Sequence, residues 1–219
     1  WTLQPNTDLV VELHMQPSGR EEPVQTSIGF YFTNDPPERT PAMLRLGRQN
    51  IDIPPGAREY VVTDTFTVPV DVEVQAVQPH AHYRAKEMVG FANLPDGSVR
   101  PLIHIRSWDF RWQHVYRYET PFWLPKGTRL QMRYTYDNSE DNPRNPSQPP
   151  VRVYWGQRSA DEMGDLWIQV LTRNEQDLQV LNGQFGPKVM TEDTIGYERW
   201  IESEPDSAPL HNTVASLYL

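Results

Sequence analysis

Cysteine is absent from this 219-residue sequence. That excludes disulfides and thiolate metal sites, and leaves His, Met and carboxylates as side chains able to hold a metal. No run of Lys or Arg occurs, and 20 basic residues stand against 29 acidic ones, for a net charge of -9. A protein that grips phosphate backbones needs a basic face, so no nucleic-acid partner is expected. No apolar stretch reaches the length of a membrane span. A Gly-rich phosphate loop and a Ser-His-Asp arrangement are both missing, and no carboxylate pair has a spacing that singles it out for acid-base work. Position 1 is Trp rather than Met, with no signal peptide, and Leu219 falls inside an apolar pattern. The chain is therefore expected to be a piece of a longer protein.

Proline is plentiful, with 21 copies, and must punctuate loops and sheet edges rather than helix interiors. Hydrophobic residues make up 37% and aromatics 11%, a balance rich in Trp and Tyr that suits strands better than a helix bundle. Residues 8–16 (DLVVELHMQ) and 26–33 (TSIGFYFT) read as two strands around the turn Pro17-Ser18-Gly19. Asp35-Pro36-Pro37 reads as a linker. A second strand series starts near Ala42, with candidates over 58–68, 71–78, 80–94, 99–108, 115–119, 128–136, 151–156 and 163–171. Turn signals stand at Pro54-Pro55-Gly56, Pro95-Asp96-Gly97 and Pro125-Lys126-Gly127, and residues 138–150 form a polar, proline-laden loop. Short strands, regular turns and no long helix predict an all-β, jelly-roll β-sandwich.

After Thr172 the pattern changes. Residues 192–202 and 208–219 have helical spacing, with Leu210, Val214 and Leu217 on one face and Asp206 or Ser207 as cap. A short α-helical C-terminal extension over 190–219 is expected. Its end, PDSAPLHNTVASLYL, resembles the opening helix of a tetratricopeptide repeat, which needs further repeats to bury its face.

His80-Ala81-His82 is the sharpest chemical feature. On a strand, residues two apart share a face, so both imidazoles can reach one metal ion. The alternative is a turn-capping His beside a surface His. Met163, in Ser159-Ala160-Asp161-Glu162-Met163, offers a soft thioether suited to Cu(I), or is core filler. His14 shares its parity with Asp8, Val10, Glu12 and Gln16 and reads as a solvent-side residue. His104 and His114 sit among aromatics and are expected to make structural hydrogen bonds, and His211 is expected on a helix surface.

Several segments in order resemble the copper type II, ascorbate-dependent monooxygenases, the family of peptidylglycine alpha-hydroxylating and dopamine beta-monooxygenase, and most closely its bacterial multidomain relatives. They are LVVELHMQPSG (9–19), IGFYFT (28–33), IDIPPGAREYVV (51–62), HAH (80–82) and SADEM (159–163), with LPDGSVRPLIHI, WDFRWQHVYRY, LPKGTRL and YDNSEDNPRNP alongside. The resemblance spans about residues 3–171.

The resemblance implies two jelly-roll domains, each with one copper. Residues 1–35 would be the tail of the first, 42–173 the complete second, and 190–219 the possible start of tetratricopeptide repeats. His80, His82 and Met163 fall on the ligands of the oxygen-binding copper. His14 falls on a ligand of the electron-passing copper, whose other ligands belong to the part of the first domain that precedes this segment. The implied activity is hydroxylation of a C–H bond with dioxygen, with electrons from ascorbate or another donor. The implied location is the bacterial periplasm, the cell envelope or outside the cell, beside the upstream part of the same protein and protein partners of the helical region.

The chain also departs from the animal enzymes. Gln78 stands where an Arg holds the substrate carboxylate, Trp167 where a Tyr follows the Met ligand, and Gly164 where a Cys does. Gln78 and Trp167 are thus candidate contacts to an unknown small or peptide-like substrate, and peptidylglycine is not expected. One alternative is a non-catalytic copper-binding or assembly module in an envelope complex; paired histidines upstream of residue 1 would argue against it. A carbohydrate-binding sandwich is a third, and needs a flat aromatic strip with no metal nearby.

Overall fold

Between residues 41 and 172 apolar and polar residues alternate, and each alternation becomes a strand with one face turned inward. A computed structural model describes residues 5–11, 13, 15, 18–35 and 37–218. Its elements in chain order are β1 (Pro41–Gly47), β2 (Asp52–Ile53), β3 (Tyr60–Thr67), β4 (Val72–Ala81), β5 (Ala85–Asn93), β6 (Val99–Ile105), β7 (Tyr116–Leu124), β8 (Arg129–Tyr136), β9 (Val153–Tyr154), β10 (Gly164–Thr172), α1 (Glu175–Ser203) and α2 (Ala208–Leu217).

One four-stranded sheet has the order β1-β10-β4-β7 and the other β3-β8-β5-β6, while β2 and β9 pair separately. All these pairings are antiparallel. Leu44, Leu46, Leu166 and Ile168 of the first sheet share a core with Met88, Leu130, Met132 and Tyr134 of the second. The expected turns at Pro54-Pro55-Gly56, Pro95-Asp96-Gly97 and Pro125-Lys126-Gly127 are present, and the one at Pro17-Ser18-Gly19 falls partly outside the described residues. Gly97 and Gly127 take φ of 86°, which a Cβ would strain.

The helices differ from expectation. The first begins at Glu175, well before the helical spacing was legible, because Gly183, Gly186 and Pro187 lie inside it and argue against helix. Tertiary burial overrides them. Leu178, Leu181 and Phe185 form a buried stripe, and the Phe185 ring meets Phe66 of β3 edge-on with centroids 5.0 Å apart. The Asn174 side chain caps the start by accepting the Asp177 N–H at 2.9 Å. Ion pairs add to the docking: Arg45 with Asp193, Arg48 with Glu192, and Lys188 with Asp64. The helix thereby covers β1, an edge strand of the first sheet. In turn α2 packs on α1 through the buried Leu210. No helix among the described residues is long and apolar enough to cross a membrane.

Two further expectations are corrected. The described residues of 8–16 and 26–33 form no strand. A strand needs a partner for its backbone groups, and the described residues supply none there; Val10, Tyr31 and Phe32 stay exposed. Residues 80–94 are two strands rather than one. β4 stops at Ala81 and β5 starts at Ala85, so His82 sits in the connecting turn.

Candidate metal centre

Antiparallel pairing of β4 with β10 builds the site. Gly164 pairs with Ala81 and Asp165 with His80. Met163 immediately precedes β10 and His82 immediately follows β4, so the pairing brings both to the same end of the sheet. Ala81 and Gly164 face the core, so strand alternation turns His80 to the other face, while His82 and Met163 lie just beyond the strand ends. The His80 and His82 rings lie edge to face, with centroids 5.2 Å apart. His82 is buried, and His80 and Met163 are half-buried.

The hydrogen bonds bear on which ring nitrogen carries the proton. Gln113 Nε2 donates to the Phe110 carbonyl at 2.7 Å, which leaves Gln113 Oε1 as an acceptor. That oxygen meets His80 Nδ1 at 2.5 Å, so Nδ1 donates. His82 Nδ1 meets the Asp161 carbonyl, which only accepts, at 3.1 Å. In a neutral ring these contacts favour the tautomer protonated on Nδ1. Metal-bound histidines are oriented in this manner, the far nitrogen donating to a carbonyl or carboxylate. Phe110 stands edge-on to His82 at 5.6 Å, and Trp108 Nε1 donates to the His82 carbonyl at 3.0 Å.

A buried carboxylate joins the two ligand-bearing segments. Glu162 accepts the backbone N–H of His82 at 2.5 Å, of Arg84 at 3.0 Å and of Met163 at 3.1 Å. Burial pushes its carboxyl up to about 7, against the pull of those N–H groups and of Arg84. The Arg84 side chain is also fully buried. It donates to the Asn138 side chain at 3.0 Å and to the Ala160 carbonyl at 2.8 Å. Asn138, from the loop read as merely polar, also donates to the carbonyls of Pro54 and Val151. None of Glu162, Arg84, Gln113 or Asn138 was singled out in the sequence. Glu162 adjoins Met163, which is the nearest thing to a signal.

Gln78 and Trp167 are register partners, next to the His80–Asp165 pair and on the same face. The Arg45 guanidinium lies 5.7 Å from the Trp167 ring centroid. Burial pushes Asp165 up to about 6, partly offset by Arg45. His14, the residue that the resemblance assigns to a second copper, lies outside the described residues. His104 pairs with Glu87 at 2.7 Å, His114 packs edge-on against Trp112, and His211 meets the Pro205 carbonyl on the helix surface.

Among the described residues no cluster of three His, Asp or Glu forms. Two imidazoles with a thioether would suit copper. Gly164 is sterically required: a Cβ there would sit 2.2 Å from the Tyr136 hydroxyl, which donates to the Met163 carbonyl. Gly164→Ala is expected to destabilise by about 1–3 kcal/mol through overpacking. Urea unfolding measures it, and an unchanged midpoint would mean that Tyr136 swings aside at no cost. No family model matches the chain, and no curated protein matches it.

Proposed function

We propose that this chain is a copper-dependent monooxygenase-like oxidoreductase domain that binds the metal through His80, His82 and Met163. The observation that carries the proposal is the pair of Nδ1 contacts, to Gln113 Oε1 and to the Asp161 carbonyl, on two rings whose centroids lie 5.2 Å apart at the end of β4. The strand order also supports a jelly roll. Numbering the eight long strands in chain order, one sheet runs first, eighth, third, sixth, and the other second, seventh, fourth, fifth. Interlocked Greek keys produce this order.

Copper bound there would supply one-electron redox chemistry and dioxygen activation for C–H hydroxylation, fed by ascorbate or another donor. The chain's own residues have simpler tasks. Gln113 and the Asp161 carbonyl favour the proton on Nδ1 of each ring. Phe110 excludes water from one side of His82. Gln78 and Trp167 offer a hydrogen-bonding and an aromatic surface to a substrate, beside His80. Exposed apolar residues at 9–11 and 30–32 fit the proposal that residues 1–35 belong to a preceding domain of the same envelope protein.

Copper titration of the purified chain, followed by X-ray absorption of the reduced protein, tests the proposal. One copper with two nitrogen ligands and one sulfur ligand is expected. No tight copper, or copper without sulfur, would replace it with a non-catalytic assembly module. Met163→Ile should weaken Cu(I) more than Cu(II), because only the soft donor is lost. Equal losses in a competition assay would remove Met163 from the ligand set.

A further inference from the structure

We propose that the C-terminal turns of α1 position the loop that carries Met163, so that the helical extension belongs to the site rather than merely following it. The proposal rests on the copper site above. Tyr197 and Trp200 stack at 5.9 Å, and both rings meet Trp155 edge-on, at 6.0 and 6.3 Å. Gln157 donates to the Tyr197 hydroxyl at 3.2 Å. Glu204, at the helix end, accepts from Trp200 Nε1 and pairs with Arg158. Trp155, Gln157 and Arg158 are thus all contacted by one helix end.

The grip is passed on through a tight turn. The Asp161 N–H donates to the Arg158 carbonyl at 2.9 Å, and the Arg158 N–H donates to the Asp161 carboxylate at 3.2 Å. The Gly156 N–H donates to the Glu162 carbonyl at 3.2 Å, and the Glu162 N–H to the Tyr154 carbonyl at 3.0 Å. Asp161 then orients the His82 ring through its carbonyl, and Glu162 holds the backbones of His82 and Met163. A packed aromatic cluster is stiff, so its removal frees the loop rather than the sandwich. Trp200 and Glu204 are positioning residues: they act through 155–162 and touch neither histidine in this chain of contacts.

The test compares Trp200→Ala and Glu204→Ala with a control, Val68→Ala, which thins the core at a fully buried position outside this loop. Two readouts are taken on the full chain: Cu(I) affinity with sulfur scattering, and amide exchange at Gly156, Asp161 and Glu162 without metal. Trp200→Ala should lower Cu(I) affinity about 10-fold, the usual size for a residue supporting metal ligands. It should weaken the sulfur signal and speed exchange at all three amides. Glu204→Ala, which removes an exposed ion pair and therefore folds, should act in the same direction less strongly. Val68→Ala should do neither at matched loss of Tm. Unchanged loop exchange in both α1 variants overturns the positioning role. Faster exchange in a protein that takes up no sulfur-ligated copper upholds the positioning of the loop and overturns the copper assignment alone.

Discussion

His82→Ala is expected to lower copper affinity by at least about 100-fold, more than the usual loss for a residue that only supports a ligand. One imidazole and a thioether remain, and that pair holds copper weakly because the thioether is neutral and a poor donor to Cu(II). The substitution removes the ring and leaves the backbone N–H donating to Glu162 and the carbonyl accepting from Trp108, so the turn should keep its shape. Isothermal titration at matched pH measures the loss. His104→Ala is the control, since its ring serves Glu87 on the surface. Copper stoichiometry and affinity unchanged in His82→Ala would remove this residue from the site.

Glu162→Ala is expected to destabilise the fold by about 3–5 kcal/mol, the range for breaking a buried charged network. Three backbone N–H groups, of His82, Arg84 and Met163, lose their acceptor together. Each stranded buried donor costs about 1–3 kcal/mol, and partial relaxation of the two loops brings the sum into that range. The melting temperature should fall by roughly 6–20 °C, at about 2–4 °C per kcal/mol for a chain of this size. Copper binding should fall well below the melting transition, because the carboxylate ties the His82 turn to the Met163 loop. Calorimetry and copper titration on the same samples separate the two effects. A loss under about 1 kcal/mol would mean that water takes over the carboxylate's bonds.

The expected strands over 99–108 and 128–136 are present within a few residues, since period-two burial and glycine turns are local properties. The break between β4 and β5 was missed because residues 80–94 are strand-like throughout, and the turn at 82–84 is held from outside by Glu162. The early start of α1 was missed for the opposite reason. Its Gly and Pro oppose helix locally, while docking of Leu178, Leu181 and Phe185 favours it. Residues 8–16 and 26–33 have strand composition and no pairing partner among the described residues, and composition alone does not make a sheet.

Spacing and turn signals were enough to single out the His80–His82 pair and to predict β-strands in most of the right places; Met163 as its partner was an implication of the family resemblance. They were enough because side-chain direction alternates along a strand and turn chemistry acts over two or three residues. The hydrogen-bond partners of the two rings, the tie between the His82 turn and the Met163 segment through Glu162, the buried Glu162–Arg84–Asn138 network and the contacts of α1 with the 155–162 loop came from folding. Each depends on contacts between segments far apart in the chain, and neither periodicity nor composition carries the register that joins them.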